Sequence, residues 1–299
     1  MHKITLLDGG MGQELLKRST REVTPMWSAD IMMHEPELVS ELHLDFIHAG
    51  AQVIILNTYT ATPPRLAREG QLDKLVLLHN NAKAAAKQAV EKSNAQHVNI
   101  AGCLPPLVAS YKAEACLSYN ESYVIYKELV SLQKEGCDLF ICETMSSITE
   151  AKAACAAAKL SEKPFWTAFT LADNTEQLLR SGESLEEALQ AVLAFKPNAI
   201  LLNCSQPEAI TASWPLLQNI KTTADYEIEI GAYANGFKSV EELYPGDTVA
   251  ALDARKDLSP DAYVEFAKMW VEWGATIIGG CCEIGPAHIK AMSKALKNN

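Results

Sequence analysis

The 299 residues carry 48% hydrophobic side chains, ample for a large core without disulfide staples. A net charge of −11 argues against nucleic acid or an anionic membrane surface as partner. No apolar run approaches the roughly 18–20 residues of a membrane span, and the opening Met-His-Lys-Ile-Thr-Leu-Leu-Asp-Gly-Gly is too soon interrupted for a secretory signal, so a cytoplasmic protein with mostly reduced cysteines is expected.

The first apolar run, 4–7, reads as a strand, and Asp-Gly-Gly-Met-Gly (8–12) after it as a turn. A helix is expected over 35–49, where Leu38, Leu42 and Phe46 recur every four residues and Gly50 supplies the stop. Strand 52–57 leads to a helix over 73–92, strand 98–103 to one over 120–135, and strand 139–142 to one over 148–160. The alternation continues with strands 165–170, 199–203, 229–233 and 276–279 and helices 185–195, 209–222, 260–273 and 286–296. Ser259 as N-cap and Pro260 at the first helical position mark one helix start. Eight strands alternating with helices, without a composition break, predict an α/β chain folded as one (β/α)8 TIM barrel domain over 1–299. A doubly wound sheet is the alternative, but no Gly-x-Gly-x-x-Gly follows the first strand. Residues 236–258 lack periodicity and are expected to be a βα-loop on the active-site face, acting as a substrate lid.

Barrel enzymes place their chemistry at the C-terminal ends of the strands. Here those ends read Asp8-Gly9-Gly10, Asn57-Thr58-Tyr59, Gly102-Cys103, Glu143-Thr144, Asn203-Cys204, Tyr233-Ala234-Asn235 and Gly280-Cys281-Cys282. Cys204, Cys281 and Cys282 put three thiols at two strand ends, a metal site assembled by the fold rather than by a local loop. Thiolates prefer Zn²⁺, and three protein ligands leave a fourth position for substrate. Adjacent side chains on a strand face opposite ways, so the Cys281-Cys282 pair requires the strand to end, and Gly279-Gly280 offers torsions that permit it. The competing reading is a pair of small buried hydrophobes. Cys103 is expected in the core or a pocket wall; Cys142, toward the helices, and Cys116, Cys137 and Cys155, in loops or helices, are expected to be inert.

Asp8 and Glu143 end strands one and four, where an unpartnered buried charge costs several kcal/mol. Asp8 is either a turn-forming or capping residue or an acceptor for a substrate ammonium or a backbone amide. Glu143, after an apolar run, is read as recognising an ammonium. All seven histidines, His2 included, fall outside the strand ends, so neither a histidine ligand nor a catalytic base is expected. Trp27, Tyr59 and Tyr233 lie near the expected mouth. They are either packing residues or faces for a cationic substrate.

Taken together these residues resemble the homocysteine S-methyltransferase family over nearly the whole chain. The matching pieces are Leu-Leu-Asp-Gly-Gly-Met-Gly (6–12), Trp-Ser-Ala-Asp (27–30), Asn-Thr-Tyr-Thr-Ala-Thr-Pro (57–63), Cys-Glu-Thr (142–144), Tyr-Ala-Asn (233–235) and, most specific, Asn-Cys (203–204) with Gly-Gly-Cys-Cys (279–282). The resemblance implies a zinc-dependent barrel that methylates homocysteine to methionine. Cys204, Cys281 and Cys282 match the zinc ligands, and Asp8 and Glu143 match positions that hold homocysteine's amino end. Gly9, Asn57, Trp27, Tyr59 and Tyr233 join them as candidate substrate contacts. The implied partners are two small molecules, homocysteine and a methyl donor. Glu283 departs from the pattern, since the family commonly has glycine after the cysteine pair. A glutamate there either strains a positive φ or adds charge beside the metal. A sulfonium donor, S-methylmethionine before S-adenosylmethionine, is preferred to betaine, because only about 17 residues follow the cysteine pair (299 minus 282). The alternatives are a barrel served by a separate corrinoid or folate protein and a non-catalytic zinc or thiol protein.

Overall fold

The computed structural model describes residues 3–244, 246–247 and 252–296; His2 and part of the 236–258 loop lie outside these. Eight strands form one sheet: β1 (Thr5–Leu6), β2 (Val53–Ile55), β3 (Asn99–Leu104), β4 (Leu139–Met145), β5 (Phe165–Phe169), β6 (Ala199–Asn203), β7 (Glu229–Tyr233) and β8 (Ile277–Ile278). From β2 to β8 each pairs in parallel with its sequence neighbours, and β1 pairs in parallel with β8. A parallel bridge between Leu7 and Val53 joins the remaining two edges. The result is the expected (β/α)8 barrel.

The helices are α1 (Met11–Arg18), α2 (Ser28–His34), α3 (Pro36–Ala49), α4 (Pro63–Arg68), α5 (Leu75–Ser93), α6 (Tyr119–Gln133), α7 (Ile148–Lys159), α8 (Leu185–Leu193), α9 (Pro207–Thr223), α10 (Pro260–Glu272) and α11 (Pro286–Leu296). Helices α1, α2 and α4 were not expected. They are short and carry too few turns to display a period. The reading of 8–12 as a turn is corrected, because Met11 and Gly12 already belong to α1. Elsewhere the ends follow local chemistry. Gly50 stops α3 at φ 116°, and Ser259 accepts the Ala262 amide above Pro260.

Strand alternation divides the core. Leu7, Val53, Leu139, Ile141, Trp166, Leu201 and Ile277 fill the barrel, while Phe140, Cys142, Ile200 and Leu202 pack outward on the helices. A third cluster caps the C-terminal mouth. There Phe237, Val240 and Leu243, from the loop after β7, pack on Tyr111, Cys204 and Cys282. The described part of 236–258 therefore lies on the face expected of it. No helix among the described residues is long and apolar enough to cross a membrane.

Candidate active site

The sulfur side is made where β6 and β8 end. Cys204 follows the last residue of β6 with φ 47°, a left-handed turn of the backbone. Its amide donates to Tyr233 O (3.1 Å), and its carbonyl accepts from Asn235 Nδ2 (2.9 Å) and Thr170 Oγ1 (3.2 Å). The other two sulfurs, of Cys281 and Cys282, ride on a turn closed by Ile284 N to Cys281 O (3.0 Å), with Glu283 at φ 64°. Gly279 and Gly280 are required here, but for contact rather than for the torsions anticipated. Neither has a left-handed φ. A Cβ on Gly279 would meet Leu7 Cβ at 2.4 Å, and one on Gly280 would meet Ile284 Cγ2 at 2.2 Å.

These turns bring Cys281 Sγ to 2.7 Å from Cys204 Sγ, with Cys282 Sγ 3.9 Å from Cys204 and 4.0 Å from Cys281. All three cysteines are free, and their sulfurs lie within 4.8 Å of one another. Burial pushes the Cys204 thiol up, but hydrogen bonds from Cys281, Cys282 and Tyr111 outweigh it and hold it well below its ordinary pKa. Hydrogen bonding to Cys204 pushes Cys281 and Cys282 well up. Without metal, the hydrogen bonds of the cluster thus favour the thiolate form at Cys204 over its two neighbours.

Across the cavity lie the two acids. Glu143 points inward by simple alternation along β4. The pairing of β4 with β5 shifts register between Cys142 and Met145, and Thr144 takes φ 60°. Burial, with the Cys204 charge next, pushes the Glu143 carboxyl up to about 7. Cys103 donates to its Oε2 at 3.4 Å, which makes Cys103 a pocket wall. Asp8 caps no helix: α1 has Gly10 as N-cap, with no side-chain cap bond. Instead Asp8 Oδ2 accepts the Ile55 amide at 2.8 Å. Burial foremost, with the Glu143 charge adding, raises its pKa well above the ordinary carboxylate value. Asp8, Glu143 and the three cysteines line one cavity, whose lining residues include no lysine or arginine.

Gly9, Asn57, Trp27 and Tyr59 line the same cavity. Asn57 Nδ2 donates to Ser28 O at 3.3 Å, and Trp27 meets Tyr59 edge to face at 6.3 Å. Tyr233 does not line it. Its ring belongs to the barrel interior and its hydroxyl lies beside Glu143 without completing a hydrogen bond, so its face is closed to a donor. Cys142 packs outward, as expected.

Among the lining residues that the sequence reading did not nominate, Tyr111 and Gln13 matter most. Tyr111 Oη shares a 2.9 Å hydrogen bond with Cys204 Sγ. Tyr111 sits in the loop after β3, so its position on the active-site face was the available signal. Gln13, on α1, is buried with neither amide atom partnered, and Trp27 Nε1 is likewise unpartnered. Gln13 carried no signal, since α1 itself was not recognised. Trp27, Tyr111, Thr144, Cys204 and Glu283 all have positive φ. Strain of this kind gathers at functional sites.

Comparison with known proteins agrees with this geometry. The homocysteine S-methyltransferase family profile matches residues 5–296. Homocysteine S-methyltransferase from Escherichia coli is 29% identical over 97% of this chain and 94% of its own length. Homocysteine S-methyltransferase 1 from Arabidopsis thaliana is 29% identical over 98% and 93%. The crystal structure of the homocysteine methyltransferase MmuM from Escherichia coli, in its metallated form, superposes with a TM-score of 0.80 at 25% identity, covering 98% and 96% of the two chains. With a fold, a thiol cluster and a family profile in agreement, the chain is a methyltransferase belonging to the homocysteine S-methyltransferase family.

Proposed function

We propose that the enzyme transfers a methyl group from a sulfonium donor, S-methylmethionine foremost, to the thiol of L-homocysteine, with zinc held by Cys204, Cys281 and Cys282. One observation carries this reading. A single cavity sets three converging thiols against two buried carboxylates that no cation on its wall compensates. Homocysteine has a thiol at one end and an ammonium at the other. Its sulfur suits the first group and its ammonium the second.

The sulfur donors fit zinc. A Zn–S distance of about 2.3 Å in a tetrahedron puts sulfurs roughly 3.8 Å apart. The separations of 3.9 and 4.0 Å match that edge, while the 2.7 Å pair must open. Bound zinc would supply a thiolate at neutral pH without a protein base. The remaining work belongs to the chain. Asp8 and Glu143 fix the ammonium, and Gln13 and Trp27 Nε1 offer unpartnered polar atoms to the carboxylate. Trp27 and Tyr59 present faces to the donor cation. Correct placement of two reactants can supply several kcal/mol of the barrier.

The test follows methionine formation from homocysteine with zinc-replete enzyme and four donors: S-methylmethionine, S-adenosylmethionine, betaine and a methylcobalamin-loaded protein. S-methylmethionine should turn over fastest. Faster turnover with betaine, or activity only with the corrinoid protein, would replace the donor. No methionine from any of them would sink the reading.

A further inference from the structure

A second cavity adjoins the first, sharing Trp27 and Ser110 as walls. It is lined also by Arg65, Arg68, Leu243 and Tyr244. Arg65, on α4, points into it. Its Nε and Nη2 donate to Pro106 O at 3.3 and 3.1 Å, and Nη2 also reaches Ser110 Oγ at 3.2 Å. Among the described residues Nη1 has no acceptor, and no carboxylate lies within 4.0 Å of the guanidinium. Glu150, an acid that acts on Arg65 through space, is committed to the Leu107 amide and Cys116. Asp247, also on the wall, accepts from Tyr244 N. Arg68, by contrast, is paired with Glu69 at 2.9 Å. Burial lowers the Arg65 pKa, as expected for a cation short of compensation.

Ser110 and Tyr59 connect this cation to the thiol cavity. Tyr59 Oη and Ser110 Oγ are 3.0 Å apart, both residues line the thiol cavity, and the Tyr59 ring centroid lies 5.6 Å from Arg65 Cζ. The walls therefore change character along the two cavities, from a guanidinium at one end to the three cysteine sulfurs at the other. A methyl donor that is a sulfonium amino acid carries the complementary pattern. Its sulfonium must reach the sulfur cluster, and its carboxylate lies at the far end of the molecule.

Resting on the methyl-transfer reading above, we propose that Arg65 holds the carboxylate of the methyl donor and so selects donors that carry a carboxylate well separated from the transferable methyl, as a sulfonium amino acid does. The free Nη1 edge offers the paired hydrogen bonds that a guanidinium gives a carboxylate. A donor lacking that carboxylate meets the same cation without compensation and is repelled. Arg65 is thus a specificity-determining residue for the donor rather than for homocysteine, whose ammonium is met by Asp8 and Glu143 in the other cavity.

The experiment separates this from the transfer reaction by measuring binding without homocysteine. Isothermal titration compares S-methylmethionine with its carboxamide, using the zinc-replete protein and its Arg65→Leu and Arg65→Lys variants. The parent should bind the carboxylate form roughly 10- to 100-fold more tightly, the range for a charged hydrogen-bonded pair. Arg65→Leu should bring the ratio close to one, and Arg65→Lys should keep part of it. A ratio unchanged in Arg65→Leu overturns the proposal, as does equal or undetectable binding of the two compounds by the parent. Homocysteine affinity, unchanged in Arg65→Leu, shows that the variant is folded. Selective binding without methionine formation would retain Arg65 as a carboxylate site while removing the methyl-transfer reading.

Discussion

The two sides of the barrel mouth are made by opposite means. On the carboxylate side β4 keeps its alternation as far as Glu143: Leu139 and Ile141 face the axis, Phe140 and Cys142 the helices, and Glu143 falls next on the axis, the left-handed Thr144 coming only after it. On the sulfur side the chain leaves the pleat, with Cys204 at φ 47° and Cys281-Cys282 on a turn with Glu283 at φ 64°. Alternation alone delivers one side chain per strand end to the axis. Bringing three sulfurs within about 4 Å of one another needs irregular backbone, at roughly 1–3 kcal/mol for each strained residue. The charges differ as well. The sulfurs share a stabilised thiolate, while burial drives the two carboxyls toward their neutral forms.

Removing a sulfur is the harshest way to break this comparison. Cys204→Ala should cut methyl transfer by about a thousandfold or more, because two thiols no longer define an open three-ligand site. Zinc content, measured by atomic emission, should fall from one per chain. Chelating the parent should do the same, and added zinc should restore it. Full activity in metal-stripped Cys204→Ala protein would remove the sulfur side from the chemistry.

Glu143→Gln tests the other side, and its two effects have opposite signs. Homocysteine affinity should fall roughly 10- to 100-fold by titration, as one charge-assisted partner of the ammonium is lost. The substrate-free protein should meanwhile gain stability at high pH. The Glu143 pKa is raised from 4.5 to about 7 on folding. The folded state therefore holds the proton more tightly. The stability this group contributes is present below pH 4.5 and is lost as pH rises through 7, by about 3 kcal/mol. Glutamine does not ionise and escapes that loss. Urea denaturation of the zinc-free proteins at pH 5 and pH 8 should show the variant pulling ahead of the parent between them. An identical pH dependence would mean that Glu143 is not held as a buried, uncompensated acid.

How much of this was legible in the sequence follows the same division. The barrel could be read because eight apolar runs alternate with periodic helices, and Glu143 because a period of two needs no coordinates. The cysteines could be nominated by type and by position at strand ends, but not their geometry. That Glu283 occupies a left-handed position is a property of the Cys281–Ile284 turn, and sequence left strain and charge as open alternatives. Tyr233 was misplaced for a related reason. It ends β7, yet its side chain belongs to the layer beneath the cavity floor, and strand-end position does not fix depth. Tyr111, Gln13 and Arg65 lie on a loop and on short helices, where no period marks the inward face.

Asn235→Ala probes what supports the strained Cys204. It removes the 2.9 Å bond to Cys204 O and the 3.2 Å bond from the Phe237 amide to Asn235 Oδ1. Stability should fall by about 1–3 kcal/mol, the usual cost of orphaning a buried backbone donor, here the Phe237 amide, while Cys204 O keeps Thr170 Oγ1. Zinc affinity should fall roughly tenfold, as for other residues that orient a ligand. Thermal unfolding and competition with a zinc chelator measure the two. A loss of stability with zinc affinity intact would separate folding of the turn from placement of the thiol.

The smallest expected effect is at Glu283. Its left-handed backbone costs about 1–2 kcal/mol for a residue with a Cβ. Its carboxylate meets Lys17 Nζ at 3.1 Å, but the lysine side chain is 52% exposed. An ion pair so exposed contributes only about 0–1 kcal/mol. Glu283→Gly relieves the strain, gives up the ion pair and adds freedom to the unfolded chain, worth about 0.4–1 kcal/mol against it, so the net change should be within about 1 kcal/mol of zero. Comparison with Glu283→Ala is sharper, because both variants lose the charge and only alanine keeps the strain. Glycine should be the more stable of the two by about 1 kcal/mol in urea denaturation. If alanine proves equal or better, the turn carrying the cysteine pair is not strained at 283. The sulfur side would then owe its shape to contacts such as those of Gly279 and Gly280 alone.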